Sequence, residues 1–338
     1  MKTKKNTLFI ILLTLPCLAF SQFNRLRYSE NGKFKIVQFA DIHYKPENTE
    51  SDTAIMLIKE VLRVETPDLV VFTGDLAWDK PTKECFDKVL APVIESETPW
   101  AFVFGNHDDE FDWSRKQIMD YIINKPYCLA KHGDISLKGE GNYIVEVYHN
   151  KIDSVDKIAN LFYFFDSGSY NTDVPGVGWS YDWMSFNQVN WYRKQSAAYA
   201  CNNGGKPYPA LAFFHIPLVE YAIMKADTSC VIIGNKGEEE CNGKLNTGMF
   251  AAMRLAGDIM ATFVGHDHDN DYIGSYYGIA LAYGRYSGGN TVYNNLGLNG
   301  CRIINLDENK YGFSTYIRLL GGEIIYSVKY PENFIKSK

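Results

Sequence analysis

The stretch Lys33-Phe-Lys-Ile-Val-Gln-Phe-Ala40 is the first of three apolar runs whose spacing sets the architecture. Leu69-Val-Val-Phe-Thr73 and Trp100-Ala-Phe-Val-Phe104 are the others, each with the length and apolar content of a buried strand. Between the first two, Ser51 to Val64 carries Ile55, Ile58 and Leu62 on one helical face, and Pro67 closes that helix. Thr82 to Glu95 is also helical in pattern, with Pro92 disturbing its last turn. A strand-helix-strand-helix-strand rhythm means parallel strands joined by crossover helices, hence an α/β fold. Open α/β sheets gather ligands at the carboxyl ends of their strands.

Metal-binding residue types stand at those ends. Asp41-Ile42-His43 follows the first run, Gly74-Asp75 the second and Gly105-Asn106-His107-Asp108 the third. Further on, Ala210 to Phe214 reads as a strand ending at His215, and Ile259 to Val264 as one ending at Gly265-His266-Asp267-His268. Helical patterns at Ser185 to Cys201 and Thr247 to Ala256 precede these two strands. Tyr143 to Tyr148 and Leu161 to Phe165 are β-like. So are Gly278 to Tyr283, Cys301 to Leu306 and Phe313 to Leu319. With no internal repeat and no linker, residues 22–338 read as a single sandwiched α/β domain.

Bulk properties narrow the functional classes. At 338 residues and 46% hydrophobic, the chain can bury a sizeable core. Lys2, Lys4 and Lys5 precede an apolar run from Leu8 to Phe20, and Ala19-Phe20-Ser21 has the small-x-small form of a cleavage site. Residues 1–21 therefore read as a cleaved secretory signal, implying export to the periplasm or medium. The mature chain would carry 31 Lys+Arg against 40 Asp+Glu. That acidic balance disfavours nucleic-acid binding. No later segment is apolar enough to span a bilayer. Of the six mature cysteines, Cys230 and Cys241 flank a polar loop and are the expected disulfide pair, with buried thiols as the alternative.

Singly, each cluster is weak evidence, since Asp-x-His and Gly-Asp are common in turns. Together they hold five of the seven histidines, all at strand ends. His132 and His149 fall in ordinary loops and read as structural or solvated. Carboxylates, imidazoles and one amide are the donors a two-metal hydrolytic site needs. Next to Asn106, His107 could protonate a leaving oxygen, and Asp108 could hold its imidazole in the useful tautomer. Arg285, after an apolar strand, could contact phosphate, or be a surface arginine. Tyr44, Trp113, Tyr181 and Trp183 could shape a pocket or simply pack.

The ordered series Asp-x-His, Gly-Asp, Gly-Asn-His-Asp, His, Gly-His-x-His resembles the calcineurin-like metallophosphoesterase superfamily. Trp100-Ala-Phe-Val-Phe-Gly-Asn-His-Asp-Asp-Glu110, Phe214-His-Ile-Pro-Leu-Val-Glu-Tyr221, Phe263-Val-Gly-His-Asp-His-Asp-Asn-Asp271 and Tyr283-Gly-Arg285 are similar to its short, Dcr2-like branch of probable purple acid phosphatases. The resemblance implies a four-layer α-β-β-α sandwich of two mixed sheets. It implies two metal ions, drawn from Mn, Zn or Fe. Asp41, His43 and His268 would hold one, Asn106, His215 and His266 the other, and Asp75 would bridge them. It further implies hydrolysis of phosphate esters, on small molecules or proteins, by a metal-bound hydroxide. His107, supported by Asp108, would serve the leaving group. Monoester hydrolysis is favoured; a diesterase or nucleotide-processing hydrolase, or a silent metal-binding protein, would use the same ligands. One departure stands out. Purple acid phosphatases carry an iron-binding tyrosine three residues after the bridging aspartate, where this chain has Trp78. A colourless site is therefore expected.

Overall fold

A computed structural model describes residues 25–150 and 156–335. The expected secretory signal lies outside the described residues. The N-terminal half runs β1 (Lys33–Phe39), α1 (Asp52–Glu65), β2 (Leu69–Phe72), α2 (Thr82–Glu95), β3 (Trp100–Phe102) and α3 (Arg115–Ile122). Next come β4 (Tyr143–Tyr148), β5 (Ile158–Phe164), the short hairpin strands β6 (Tyr170–Asn171) and β7 (Ser180–Tyr181), then α4 (Phe186–Asn202). The chain continues through β8 (Ala210–Phe213), α5 (Val219–Ala226), β9 (Ile232–Ile233), α6 (Met249–Ala256) and β10 (Ile259–Val264). It ends with β11 (Ile273–Tyr276), β12 (Ile279–Tyr283), β13 (Gly300–Asp307), β14 (Phe313–Leu319) and β15 (Ile324–Tyr330).

Two large mixed sheets result, in the orders β15-β14-β13-β1-β2-β3 and β4-β5-β8-β10-β12-β11-β9. The parallel pairing expected from the rhythm holds for β1 with β2 and β2 with β3. Side-chain alternation explains why the sheets stack. In β5 and β8, Phe162, Phe164, Leu211 and Phe213 face the first sheet, while Leu161, Tyr163, Ala210 and Ala212 face α4, α5 and α6. Phe34 meets Phe162 at 5.9 Å and Phe263 meets Phe313 at 5.8 Å, so aromatic rings fill the gap between sheets. Helices α1 and α2 cover the other face of the first sheet through Leu57, Val61, Phe86 and Val89. This is the expected four-layer order.

The structure corrects several local expectations. Helix α2 keeps its expected bounds and runs through Pro92 to Glu95, because one missing donor so near the end costs a single bond. Helix α3 was not anticipated, although Ser114 and Gln117 form a reciprocal capping box that the spacing Ser-x-x-Gln announces. Strand β15 was also missed; it is the edge strand of its sheet, although five of its seven residues, Ile324, Ile325, Tyr326, Val328 and Tyr330, are apolar or aromatic. None of the described cysteines is disulfide-bonded. The expected Cys230–Cys241 bridge is absent. Cys241 is drawn to Asp267 by its backbone amide, whereas Cys230 packs against the α4–α6 core. Among the described residues no helix is long and apolar enough to cross a membrane.

Opposite residues Gln38 and Arg302 on β1 and β13 form a polar bolt between the sheets. Gln38 donates to the Val264 carbonyl at 2.9 Å. Buried Arg302 donates to the carbonyls of Tyr283 and Asp271, both at 2.6 Å. Burial pulls its guanidinium down to about 10, partly offset by Asp271. Arg302→Met is expected to lower the unfolding free energy by roughly 2–4 kcal/mol, because it strands buried carbonyls. Urea denaturation checks this; a change below about 0.5 kcal/mol would refute the bolt.

Candidate metal centre

The loops leaving β1, β2, β3, β8 and β10 meet at one point. They come unusually close. A Cβ on Gly74 would sit 2.4 Å from the Gly105 nitrogen, and one on Gly105 would sit 2.0 Å from an Asp75 oxygen. No side chain fits there, which is why the second and third clusters open with glycine. Four prospective ligands also hold left-handed backbone: Asp41 (φ 57°), His43 (φ 46°), Asp75 (φ 55°) and His266 (φ 83°). Such conformations are costly for non-glycine residues and concentrate at functional sites.

Asp108 organises this convergence. Its buried carboxylate accepts from the amides of Asp75 (2.9 Å), Leu76 (2.7 Å), Ala77 (3.3 Å) and Gly105 (2.8 Å). It thus clamps the β2 loop to the β3 loop. This corrects the expectation that Asp108 supports the His107 ring. Glu110 does so instead, meeting His107 Nδ1 at 2.6 Å. Burial, then the charge of Asp75, pushes Asp108 up to about 6 despite these amides.

The expected ligand side chains fall into two groups. In the first, His43 Nε2 lies 3.0 Å from His268 Nε2, and Asp41 Oδ1 lies 4.0 Å from the latter. In the second, His215 Nε2 lies 3.1 Å from Asn106 Oδ1 and 3.2 Å from His266 Nδ1. Asp75 Oδ2 stands between them, 3.7 Å from His43 Nε2 and 3.2 Å from His215 Nε2. That is the position of a bridging carboxylate. Asp41 also reaches toward the second group, with Oδ1 3.9 Å from His215 Nδ1.

The surroundings aim these atoms inward. His215 Nδ1 meets the Thr73 carbonyl at 2.7 Å and His268 Nδ1 the Tyr293 carbonyl at 3.0 Å, leaving each Nε2 lone pair free for the cluster. Asn106 Nδ2 donates to the Tyr170 hydroxyl at 2.9 Å, which turns its oxygen inward. Tyr170 in turn donates to Glu110 at 2.8 Å. His43 Nδ1 and His266 Nε2 are buried without hydrogen-bond partners, so packing places those rings. Trp78 meets His43 edge-on at 4.8 Å and His107 at 4.6 Å, and Tyr181 meets His266 at 4.3 Å. Trp78 is a wall of the site. Trp113 packs on Tyr121, and Trp183 lies under Lys138.

Charge fits the same reading. Burial and neighbouring imidazoles hold His43 and His266 far below the usual histidine range. Burial takes His268 down to about 4. All three are neutral donors. Burial alone would lower His215, but Asp75 and Asp41 push it up to about 9. Burial alone would raise Asp75, but His215 holds it well below the usual carboxylate range. Burial pushes Asp41 up to about 8, against His215. Lone pairs crowded this closely repel one another unless a cation lies between them. Asp41, His43 and His268, and Asp41, Asp75 and His215, each offer atoms within 4.8 Å of one another. The residues present fit a dinuclear metal site.

Residues 34–270 match the sequence profile of the calcineurin-like phosphoesterases. The chain belongs to that family. It is 33% identical to the probable inactive purple acid phosphatase 29 of Arabidopsis thaliana, over 90% of this chain and 86% of that one. It is 34% identical to the phosphatase DCR2 of Saccharomyces cerevisiae, over 73% of this chain but only 46% of that longer protein. Among solved structures, a dimetal phosphatase from Danio rerio superposes with a TM-score of 0.58 at 15% identity. That match covers 88% of this chain and 98% of the other, and it supports the fold.

Arg285 stands apart from the cluster. It is buried, pairs with Asp271 at 2.8 Å, and donates to the carbonyls of Leu296 and Leu298. It pins the 296–298 loop with all three guanidinium nitrogens engaged, where a phosphate contact or a surface arginine was expected. His132 pairs with Glu140 and Asp120, and His149 with Glu308, in keeping with structural roles. Asp267 is buried rather than solvated, accepting from Tyr283 at 2.6 Å. Sequence reasoning missed Glu110 and Tyr170. The run Asp108-Asp109-Glu110 held a signal for the first, three residues past the histidine; nothing local marked the second.

Asp108→Ala is expected to cost about 2–4 kcal/mol of stability and lower metal occupancy, although Asp108 is not among the metal ligands. Glu110→Ala should retain wild-type metal content. Elemental analysis of both variants separates the roles; full occupancy in Asp108→Ala would refute the clamp.

Proposed function

We propose that this chain is an exported, dinuclear-metal phosphoesterase acting chiefly on phosphate monoesters. The observation that carries this reading is the convergence of two ligand groups on Asp75, with the partly exposed His107 beside them. His107 is fixed from both sides. Its backbone amide donates to Asp75 Oδ1 at 2.9 Å, and its Nδ1 faces Glu110. With Nδ1 engaged by Glu110, Nε2 is the ring nitrogen left to serve the departing oxygen, which is general-acid work. When bound, a pair of ions would supply Lewis-acid polarisation of the phosphoryl group and an activated water. Mixed imidazole, carboxylate and amide donors suit Mn, Zn or Fe.

The names of the yeast and zebrafish proteins, both phosphatases, favour catalysis. The Arabidopsis relative is named probable inactive, which favours a second reading as a silent metal binder. Against that, this chain retains every ligand of the motif series together with His107. Export rests on the lysine-flanked apolar leader, and the acidic balance disfavours nucleic-acid substrates.

Metal content and turnover test the proposal together. Protein loaded with Mn, Zn or Fe should bind near two ions per chain, a number implied by the bridging geometry. It should hydrolyse p-nitrophenyl phosphate faster than bis-p-nitrophenyl phosphate. Reversed preference would make it a diesterase. Two ions with no turnover on any ester would support the silent binder. His107→Ala is expected to keep both ions and lose about 10²–10⁴-fold in kcat. Unchanged kcat would remove His107 from the chemistry.

A further inference from the structure

In the β6–β7 hairpin, Tyr170 and Tyr181 face each other across the strands with ring centroids 5.7 Å apart. The hairpin has two residues per strand and carries Tyr170, Trp179 and Tyr181. Tyr170 and Tyr181 are anchored on the metal centre, the first by its bond to Asn106 and the second by its contact with His266. Trp179 lies on both of them, at 6.0 Å from Tyr170 and 5.2 Å from Tyr181. It is 57% exposed. The hairpin thus builds an aromatic ladder from the ligands of the second metal outward, ending in an indole open to solvent. Exposed Tyr170 and Trp179 together make a contiguous apolar patch beside a polar site, which marks a ligand surface.

Charge narrows the ligand. Among the described residues no Lys or Arg pairs with any of the expected metal-ligand side chains. Arg115, the guanidinium beside the hairpin, is consumed by Asp166, Asp109, Ser169 and the Gly105 carbonyl. Arg285 is consumed elsewhere. Beyond the metals, the hairpin has a cation against it in exposed Lys244, whose Nζ meets the Val177 carbonyl at 3.2 Å. A planar ring one sugar away from a single phosphate would find Trp179.

Resting on the phosphoesterase reading above, we propose that Trp179 and Tyr170 form a stacking platform for a planar ring on the leaving alcohol, so that nucleoside 5′-monophosphates and aryl phosphates are preferred over aliphatic monoesters. Adenosine 5′-monophosphate and ribose 5-phosphate share the same leaving oxygen and differ only in the ring, so comparing them isolates the platform. The ratio of their KM values should favour the nucleotide in the wild type. Trp179→Ala should shrink that advantage by roughly 5- to 100-fold, the range for loss of one base–aromatic stack. Leu255→Ala, on α6, is the control and should leave the ratio unchanged. Binding gives a second readout: the nucleotide, but not ribose 5-phosphate, should quench tryptophan fluorescence in the wild type and not in Trp179→Ala. If Trp179→Ala weakens p-nitrophenyl phosphate together with the nucleotide, the platform stands and takes aryl rings as well as bases. An unchanged ratio in an active enzyme overturns the platform and leaves the phosphoesterase intact. Trp179-dependent quenching without turnover of any ester keeps the platform and sinks the phosphoesterase. Absence of both sinks both.

Discussion

One buried carboxylate holds this site together. Asp108 draws the amides after β2 and β3 onto its two oxygens, and the ligands Asp75 and Asn106 are set by that clamp. The glycines at 74 and 105 make the clamp possible, since any side chain would separate the loops. Hydrogen bonds to an ionised acceptor are among the stronger ones available. The site is therefore built from backbone held in place by charge, and the metal-ligand side chains ride on it.

Strain is the counterpart of that rigidity. Left-handed backbone at Asp41, His43, Asp75 and His266 persists because parallel strands, the inter-sheet bolt of Gln38 and Arg302, and the Asp108 clamp over-determine the loops. Stability made in the core is stored at the strand ends, where it keeps the donor atoms converged. Repulsion among those donors adds to the load. The pairing of depressed Asp75 with elevated His215 shows how the protein balances charge within the cluster itself.

Around the ligands lies a second tier of aromatic residues. Trp78, Tyr181 and Tyr286 pack against the ligand imidazoles, and Tyr293 stacks on His268 at 4.4 Å. These rings replace hydrogen bonds where the imidazole nitrogens lack partners. Tyr170 does both jobs, orienting Asn106 and tying it to Glu110 and so to His107. Asn106 and His107 are thereby coupled through one hydroxyl.

The sequence by itself determined the parallel core strands, their crossover helices and the residues at their carboxyl ends. Apolar runs and helical periodicity are local, and the strand-end rule then brings Asp41, Asp75, Asn106, His215, His266 and His268 together without further information. Capping chemistry made α3 readable too, had Ser114 and Gln117 been weighed. Only the tertiary structure decided the roles of Asp108, Glu110, Arg285 and Tyr170. Those depend on where carboxylates and guanidiniums find their partners. Asp108 chose backbone amides over the adjacent imidazole, Arg285 a buried aspartate 14 positions away, and Tyr170 a partner 64 positions away. A motif names the donor atoms along the chain, but long-range packing decides what each one faces.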